Sequence, residues 1–141
     1  MQIIVTGHGN FASGIESTIK LLAGSINGVK YIDFTEDMNE KDLAEKYQKL
    51  LSTEEKTLFF CDLVGGTPYK QAVVASAGKE RTISVVAGCN VGSLLELGLN
   101  SSALQAKSIS EVATAFVETS KNNTKVFKHV VQNEQVDEDG I

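Results

Sequence analysis

The sequence contains no tryptophan, a single proline (Pro68), two cysteines and two histidines in 141 residues. No apolar run approaches the roughly 18 residues that cross a bilayer. The opening residues carry no basic stretch and pass straight into a strand, so neither a membrane span nor a secretory signal is expected. Cys61 and Cys89 lie far apart and form no CxxC pair, which points to reduced thiols in a cytoplasmic protein. With so few His and Cys residues, no metal or other cofactor is expected. Lysines and arginines form no stripe that could track a phosphate backbone, which argues against nucleic-acid binding. A P-loop and GxGxxG are also missing.

What is present is the composition of one globular domain. Hydrophobic residues make up 42% and charged residues 22% of a chain long enough to bury a sizeable core. The net charge of −5 is concentrated at one end. Glu134, Asp137, Glu138 and Asp139 fall in the last ten residues, which hold no Lys or Arg. The expected organisation is a domain over 1–131 followed by a solvated acidic tail over 132–141.

Apolar runs and amphipathic stretches alternate along the chain. Residues 2–6 read as a strand, then Phe11 to Ala23 as a helix with Ile15, Ile19 and Leu22 on one face and Gly24 as its stop. Val29 to Phe34 is a second strand. Asn39 caps a second helix whose buried stripe is Leu43, Tyr47, Leu50 and Leu51. Thr57 to Cys61 has no polar side chain after its first residue, as in a strand covered on both faces. Thr67 is the expected cap of a third helix, with Pro68 in its first position and Gly78 at its end. Thr82 to Val86 is a fourth strand and Val91 to Leu97 a short helix. Ser108-Ile109-Ser110-Glu111 is a capping box for a helix to about Ser120. A Lys121-Asn122-Asn123-Thr124 turn would then lead into an edge strand over Lys125 to Val131. The expected fold is doubly wound α/β, with a mostly parallel sheet and helices on both faces.

The chemistry gathers where strands end. Gly7-His8-Gly9 follows the first strand, and its glycines allow a sharp turn and leave room around the imidazole. Asp62 follows the third strand, and Gly65-Gly66-Thr67-Pro68 then opens a helix, where backbone N–H groups and the helix dipole favour an anion. Ala87-Gly88-Cys89-Asn90 is a third strand-end turn that completes the rim. A strand order of 2-1-3-4 would bring His8 and Asp62 together at the crevice, but the sequence leaves that order open. A carboxylate on one ring nitrogen frees the other as a nucleophile, and a Gly65-Gly66-Thr67 nest suits phosphoryl oxygens. The plain alternatives are a turn histidine, a loop-capping aspartate and an efficient helix start. His129 reads as a surface residue, and Cys61 and Cys89 as packing residues.

Val5-Thr6-Gly7-His8-Gly9-Asn10-Phe11-Ala12-Ser13-Gly14, together with Asp62-Leu63-Val64-Gly65-Gly66-Thr67-Pro68, resembles the enzyme IIA component of mannose-family sugar phosphotransferase systems. The resemblance implies a phosphocarrier that takes a phosphoryl group from phospho-HPr on the distal nitrogen of His8. Asp62 would sit on the proximal nitrogen and Thr67 near the phosphoryl group. The group would pass to a cognate EIIB for sugar uptake, touching the membrane only through the EIIC/EIID permease. The resemblance further implies a homodimer that exchanges an antiparallel final strand, here Lys125 to Val131. Val64 stands where the mannose branch often has tryptophan, and Val91-Gly92 follows Asn90 where that branch often has proline. Thr6 to Gly9, Phe11 to Gly14, Gly65 to Pro68 and the terminal Glu138-Asp139-Gly140-Ile141 look closer to the N-acetylgalactosamine or galactosamine branch. The rival functions are a phosphoryl-transfer subunit for dihydroxyacetone kinase, a phosphorylation-controlled regulatory module and a small-molecule hydrolase.

Overall fold

The computed structural model describes residues 1–131. Its strands are β1 (Gln2–His8), β2 (Val29–Phe34), β3 (Thr57–Cys61) and β4 (Ile83–Ala87). The helices are α1 (Phe11–Ala23), α2 (Glu40–Leu50), α3 (Thr67–Ser76), α4 (Val91–Gly98), α5 (Ser101–Leu104) and α6 (Ile109–Asn123). The sheet runs β2-β1-β3-β4 and every pair is parallel. That order puts the switch point, where strand addition changes from one side of β1 to the other, between β1 and β3, so the ends of those two strands form the crevice.

Period-2 alternation sorts the strand residues into two core layers. Ile3, Val5, Leu58, Phe60 and Val86 pack with Ala12 and Ile19 of α1, Leu94 of α4, and Ile109, Val112 and Phe116 of α6. On the other face, Ile4, Ile32, Phe59, Cys61 and Ile83 meet Leu43 and Tyr47 of α2 and Ala72 and Ala75 of α3. β3 is buried along its whole length, as its uninterrupted apolar run requires. Each fully buried Leu, Ile or Phe contributes about 1.5–3 kcal/mol, so the two layers dominate the stability.

Local signals fix most helix starts. Asn39 accepts from the Asp42 N–H at 2.9 Å while Asp42 accepts from the Asn39 N–H at 3.0 Å. Ser108 and Glu111 form the same reciprocal box on α6. α1 is capped from outside itself: Asn10 makes no side-chain cap, and Asp33 at the end of β2 accepts from the Ser13 N–H at 2.9 Å.

Several expectations shift. β1 continues through Gly7 to His8, because both residues pair with Asp33 and Phe34 of β2. β4 lies one residue later than expected, at Ile83–Ala87. Thr67 is not the cap of α3. Gly66 holds that position with extended backbone (φ −75°, ψ 169°), and Thr67 and Pro68 are already helical. α3 closes at Ser76, with Ala77 as its cap, just before Gly78.

The larger correction concerns the end of the domain. The expected turn over 121–124 does not form, because α6 runs on to Asn123. Its last turn is held by the Thr124 hydroxyl and the Asn90 amide, both donating to the Ser120 carbonyl at 2.8 Å and 3.0 Å. Without that turn, Lys125 to Val131 is exposed along its length and pairs with no strand among the described residues, so the expected antiparallel edge strand is absent from them. The acidic tail over 132–141 lies outside the described residues.

Candidate functional site

Sheet register brings the two principal candidates together. β1 and β3 are neighbours, with Thr6 opposite Cys61, so the residues just beyond them share one end of the crevice. Asp62 Oδ2 accepts from the His8 backbone N–H at 2.9 Å and lies 2.7 Å from His8 Nδ1. Its other oxygen accepts from the Leu63 N–H at 2.9 Å. Burial by itself raises the Asp62 pKa, but the two His8 hydrogen bonds, the His8 charge and the Leu63 N–H outweigh it and hold the carboxyl below its ordinary value. A carboxylate only accepts, so Nδ1 carries a proton toward Asp62, and in the neutral ring Nε2 is the nitrogen that holds the lone pair.

The His8 side chain is 45% exposed, whereas that of Asp62 is only 12% exposed, so the carboxylate is sheltered and the imidazole accessible. Phe34 stands edge-on to the imidazole at 6.1 Å between ring centres.

The glycines are required by space as much as by conformation. A Cβ on Gly7 would lie 2.5 Å from the Phe11 ring and 2.8 Å from Asp62 Cβ and Cγ, so only glycine lets the carboxylate reach the histidine. At Gly66 a Cβ would lie 2.5 Å from His8 Cε1 and 3.1 Å from Nε2. The start of α3 therefore lies beside the ring on its Cε1–Nε2 side, with no room there for a side chain. No side chain caps α3, which leaves its first-turn N–H groups without a side-chain partner next to the imidazole. Gly65 precedes it with φ +85°. A helix N-terminus so placed is worth about 0.3–1 kcal/mol to an anion, and up to ~2 kcal/mol when partly buried.

This geometry meets a clear set of relatives. A family model described as "PTS system fructose IIA component", EIIA-man, matches residues 2–115. The chain belongs to the EIIA-man family. Over 100 residues it is 31% identical to the fructose-specific EIIA component of Bacillus subtilis (strain 168), covering 69% of this chain and 68% of that protein. The mannose-specific EIIAB component of Escherichia coli (strain K12) is 32% identical over 135 residues, or 91% of this chain, which spans 40% of that protein's length. The EIIA component from Streptococcus agalactiae has a TM-score of 0.79 at 28% identity, with 89% of this chain and 95% of that one covered. A mannose/sorbose-specific IIA subunit from Enterococcus faecalis has a TM-score of 0.77 over 94% and 98% of the chains, and at 19% identity it shows the shared fold alone.

As an EIIA-man member the chain is a phosphocarrier-type component of sugar uptake, in a class of phosphotransferases that work with HPr- and EIIB-type partners. Among the described residues no helix is long and apolar enough to cross a membrane, and no group of three His, Cys, Asp or Glu is placed to hold a metal. Other singled-out residues fall outside the crevice chemistry. Asn90 caps α4 through Ser93 and ties it to α6 through the Ser120 carbonyl and the Thr124 hydroxyl, so its side chain is structural. Cys61 and Cys89 belong to opposite core layers, and burial raises both thiols, Cys61 to about 12, so neither is a nucleophile nor placed to pair. His129 stacks edge-on against Phe127 on the exposed segment after α6.

Two polar residues near the site escape a reading by pattern. Thr6 lies in an apolar strand and Tyr47 in an apolar helix stripe, yet their hydroxyls meet at 2.8 Å, and Tyr47 Oη also donates to the Pro68 carbonyl at 3.1 Å. The available signal was chemical: a buried phenol needs a hydrogen-bond partner.

Proposed function

We propose that the protein accepts a phosphoryl group from phospho-HPr on His8 Nε2 and passes it to a cognate EIIB. The observation that carries this reading is the imidazole held at Nδ1 by Asp62, 2.7 Å away, with the start of α3 against the opposite nitrogen. In the forward step the Nε2 lone pair attacks phosphorus, the bond to the donor breaks and the donor keeps that electron pair. Asp62 stabilises the positive charge that develops on the ring. The Gly65-Gly66-Thr67 backbone then lies where the phosphoryl oxygens gather charge. Transfer to EIIB reverses the same geometry, so one site serves both partners.

In this reading residues 1–131 are the IIA domain, 132–141 an appended acidic tail, and the protein works in the cytoplasm, meeting the membrane only through an EIIC/EIID permease. The incoming sugar is an amino sugar such as N-acetylgalactosamine, a branch assignment supported by the Thr6 to Gly9, Phe11 to Gly14 and Gly65 to Pro68 motifs. The unit is a homodimer that exchanges Lys125 to Val131 as an antiparallel final strand. Two features support this. Val126, Phe127, Val130 and Val131 are 74–82% exposed, and among the described residues β4 lies at an edge of the sheet without an outer neighbour.

The test is phosphorylation by phosphoenolpyruvate, enzyme I and HPr, comparing the wild type with His8→Ala. An acid-labile, base-stable adduct that disappears in His8→Ala is the expected result. Labelling that survives in His8→Ala would move the role to His129, and a folded wild type that takes no label would end the phosphocarrier reading.

A further inference from the structure

Tyr47 is buried without any exposed surface on α2, a helix that contributes no residue to the crevice. Its ring lies 4.8 Å from that of Phe59, in an apolar layer that includes Ile4, Ile32, Leu43 and Ala72. Packing alone would be served equally well by phenylalanine, so the hydroxyl is the feature that needs explaining.

The direction of its hydrogen bonds follows from the donor inventory. The Pro68 carbonyl can only accept, so Tyr47 donates its single proton there, and the Thr6 hydroxyl must donate to Tyr47 Oη. The result is an ordered chain from Thr6 through Tyr47 to Pro68. Both of its ends lie beside the site. Thr6 is two residues before His8, and its carbonyl accepts from the Asp62 N–H at 3.2 Å. Pro68 is two residues after Gly66, whose backbone abuts His8 Nε2. The segments that carry the histidine and the α3 N-terminus thus meet at one phenol, and the aspartate is tied to the first of them through the Thr6 carbonyl.

The start of α3 has particular need of such a tie. Gly65 and Gly66 precede it, Pro68 offers no N–H, and no side chain caps it. We infer that Tyr47 is a positioning residue for phosphoryl transfer: by linking Thr6 to the Pro68 carbonyl it fixes the first turn of α3 against the His8–Asp62 pair. It touches neither the phosphoryl group nor the reacting nitrogen. This inference rests on the phosphocarrier reading above. Burial, ahead of the Thr6 hydrogen bond that opposes it and of the nearby Cys61 and Asp62, pushes the phenol pKa up, so the hydroxyl stays protonated and keeps donating at neutral pH.

The experiment is single-turnover transfer from phospho-HPr over a range of donor concentrations, for wild type, Tyr47→Phe, Thr6→Val, Thr6→Ser and the Tyr47→Phe/Thr6→Val pair, each rate expressed per folded molecule. Tyr47→Phe and Thr6→Val should each lower the maximal rate roughly tenfold with the half-saturating donor concentration unchanged, since the docking surface is untouched. Thr6→Ser keeps the donor and should transfer at close to the wild-type rate. The double variant should be little slower than either single, because both break one chain. In amide NMR spectra of Tyr47→Phe, the Gly66 and Thr67 signals should move. A purely structural role would lower the melting temperature and leave the rate per folded molecule unchanged, and that result would overturn the inference. Should Tyr47→Phe fail to fold, Thr6→Val against Thr6→Ser decides the question, equal rates counting against it. A labelled wild type with an unaffected Tyr47→Phe rate removes the positioning role alone, whereas an unlabelled wild type removes the phosphocarrier reading on which it stands.

Discussion

At the scale of single residues, the site is a matter of which atoms have room to meet. Asp62 reaches the His8 ring only because position 7 has no side chain, and the α3 backbone reaches Nε2 only because position 66 has none. Asp62→Asn keeps this shape but exchanges a carboxylate for an amide. It removes the negative charge and presents the ring nitrogen with a group that can donate as well as accept. Phosphoryl transfer should therefore slow by ~10²–10⁴-fold, with the fold intact by circular dichroism. Unchanged single-turnover rates would take Asp62 out of the mechanism. The His8 loop and the glycine pair were legible in the sequence because glycine beside a chemically able side chain is a local signal. Thr6 and Tyr47 were not, since their meaning lies in a hydrogen bond between residues 41 apart in the chain.

At the scale of elements, local chemistry and tertiary context divide the work. α1, β2 and β3 begin and end where their patterns place them, at Phe11–Ala23, Val29–Phe34 and Thr57–Cys61. The Asn39 and Ser108 caps also form as their spacing predicts. Ser108→Ala removes the oxygen that accepts from the Glu111 N–H and should cost about 1 kcal/mol in urea unfolding. A cost near zero would mean that packing of Ile109, Val112 and Phe116 alone holds α6 in place. The misses have a common cause. Thr67 looks like a cap by residue type, but Gly66 takes the role because only a residue without a side chain fits against His8. The end of α6 was misplaced because Lys121-Asn122-Asn123 looks like a turn, whereas contacts from Asn90, on another element, prolong the helix.

At the scale of the whole molecule, the four parallel strands and two helical layers account for the buried surface up to α6, and the apolar segment after it is left uncovered. If Lys125 to Val131 is a strand lent to a second copy, Phe127→Asp should convert a dimer to a monomer in analytical ultracentrifugation, because a buried charge without a partner is costly. A wild type that sediments as a monomer at all concentrations tested would remove the exchange. The sequence by itself determined the alternation of strands and helices, the two-faced burial of β3 and the identity of the crevice residues, because periodicity, caps and glycine-flanked polar residues are properties of neighbours along the chain. Only the tertiary structure decided the order β2-β1-β3-β4, the approach of Asp62 to His8 and of α3 to its far side, and the Thr6–Tyr47–Pro68 chain. Those contacts join segments distant in sequence, and their geometry is set by sheet register and by the space that two absent side chains leave open.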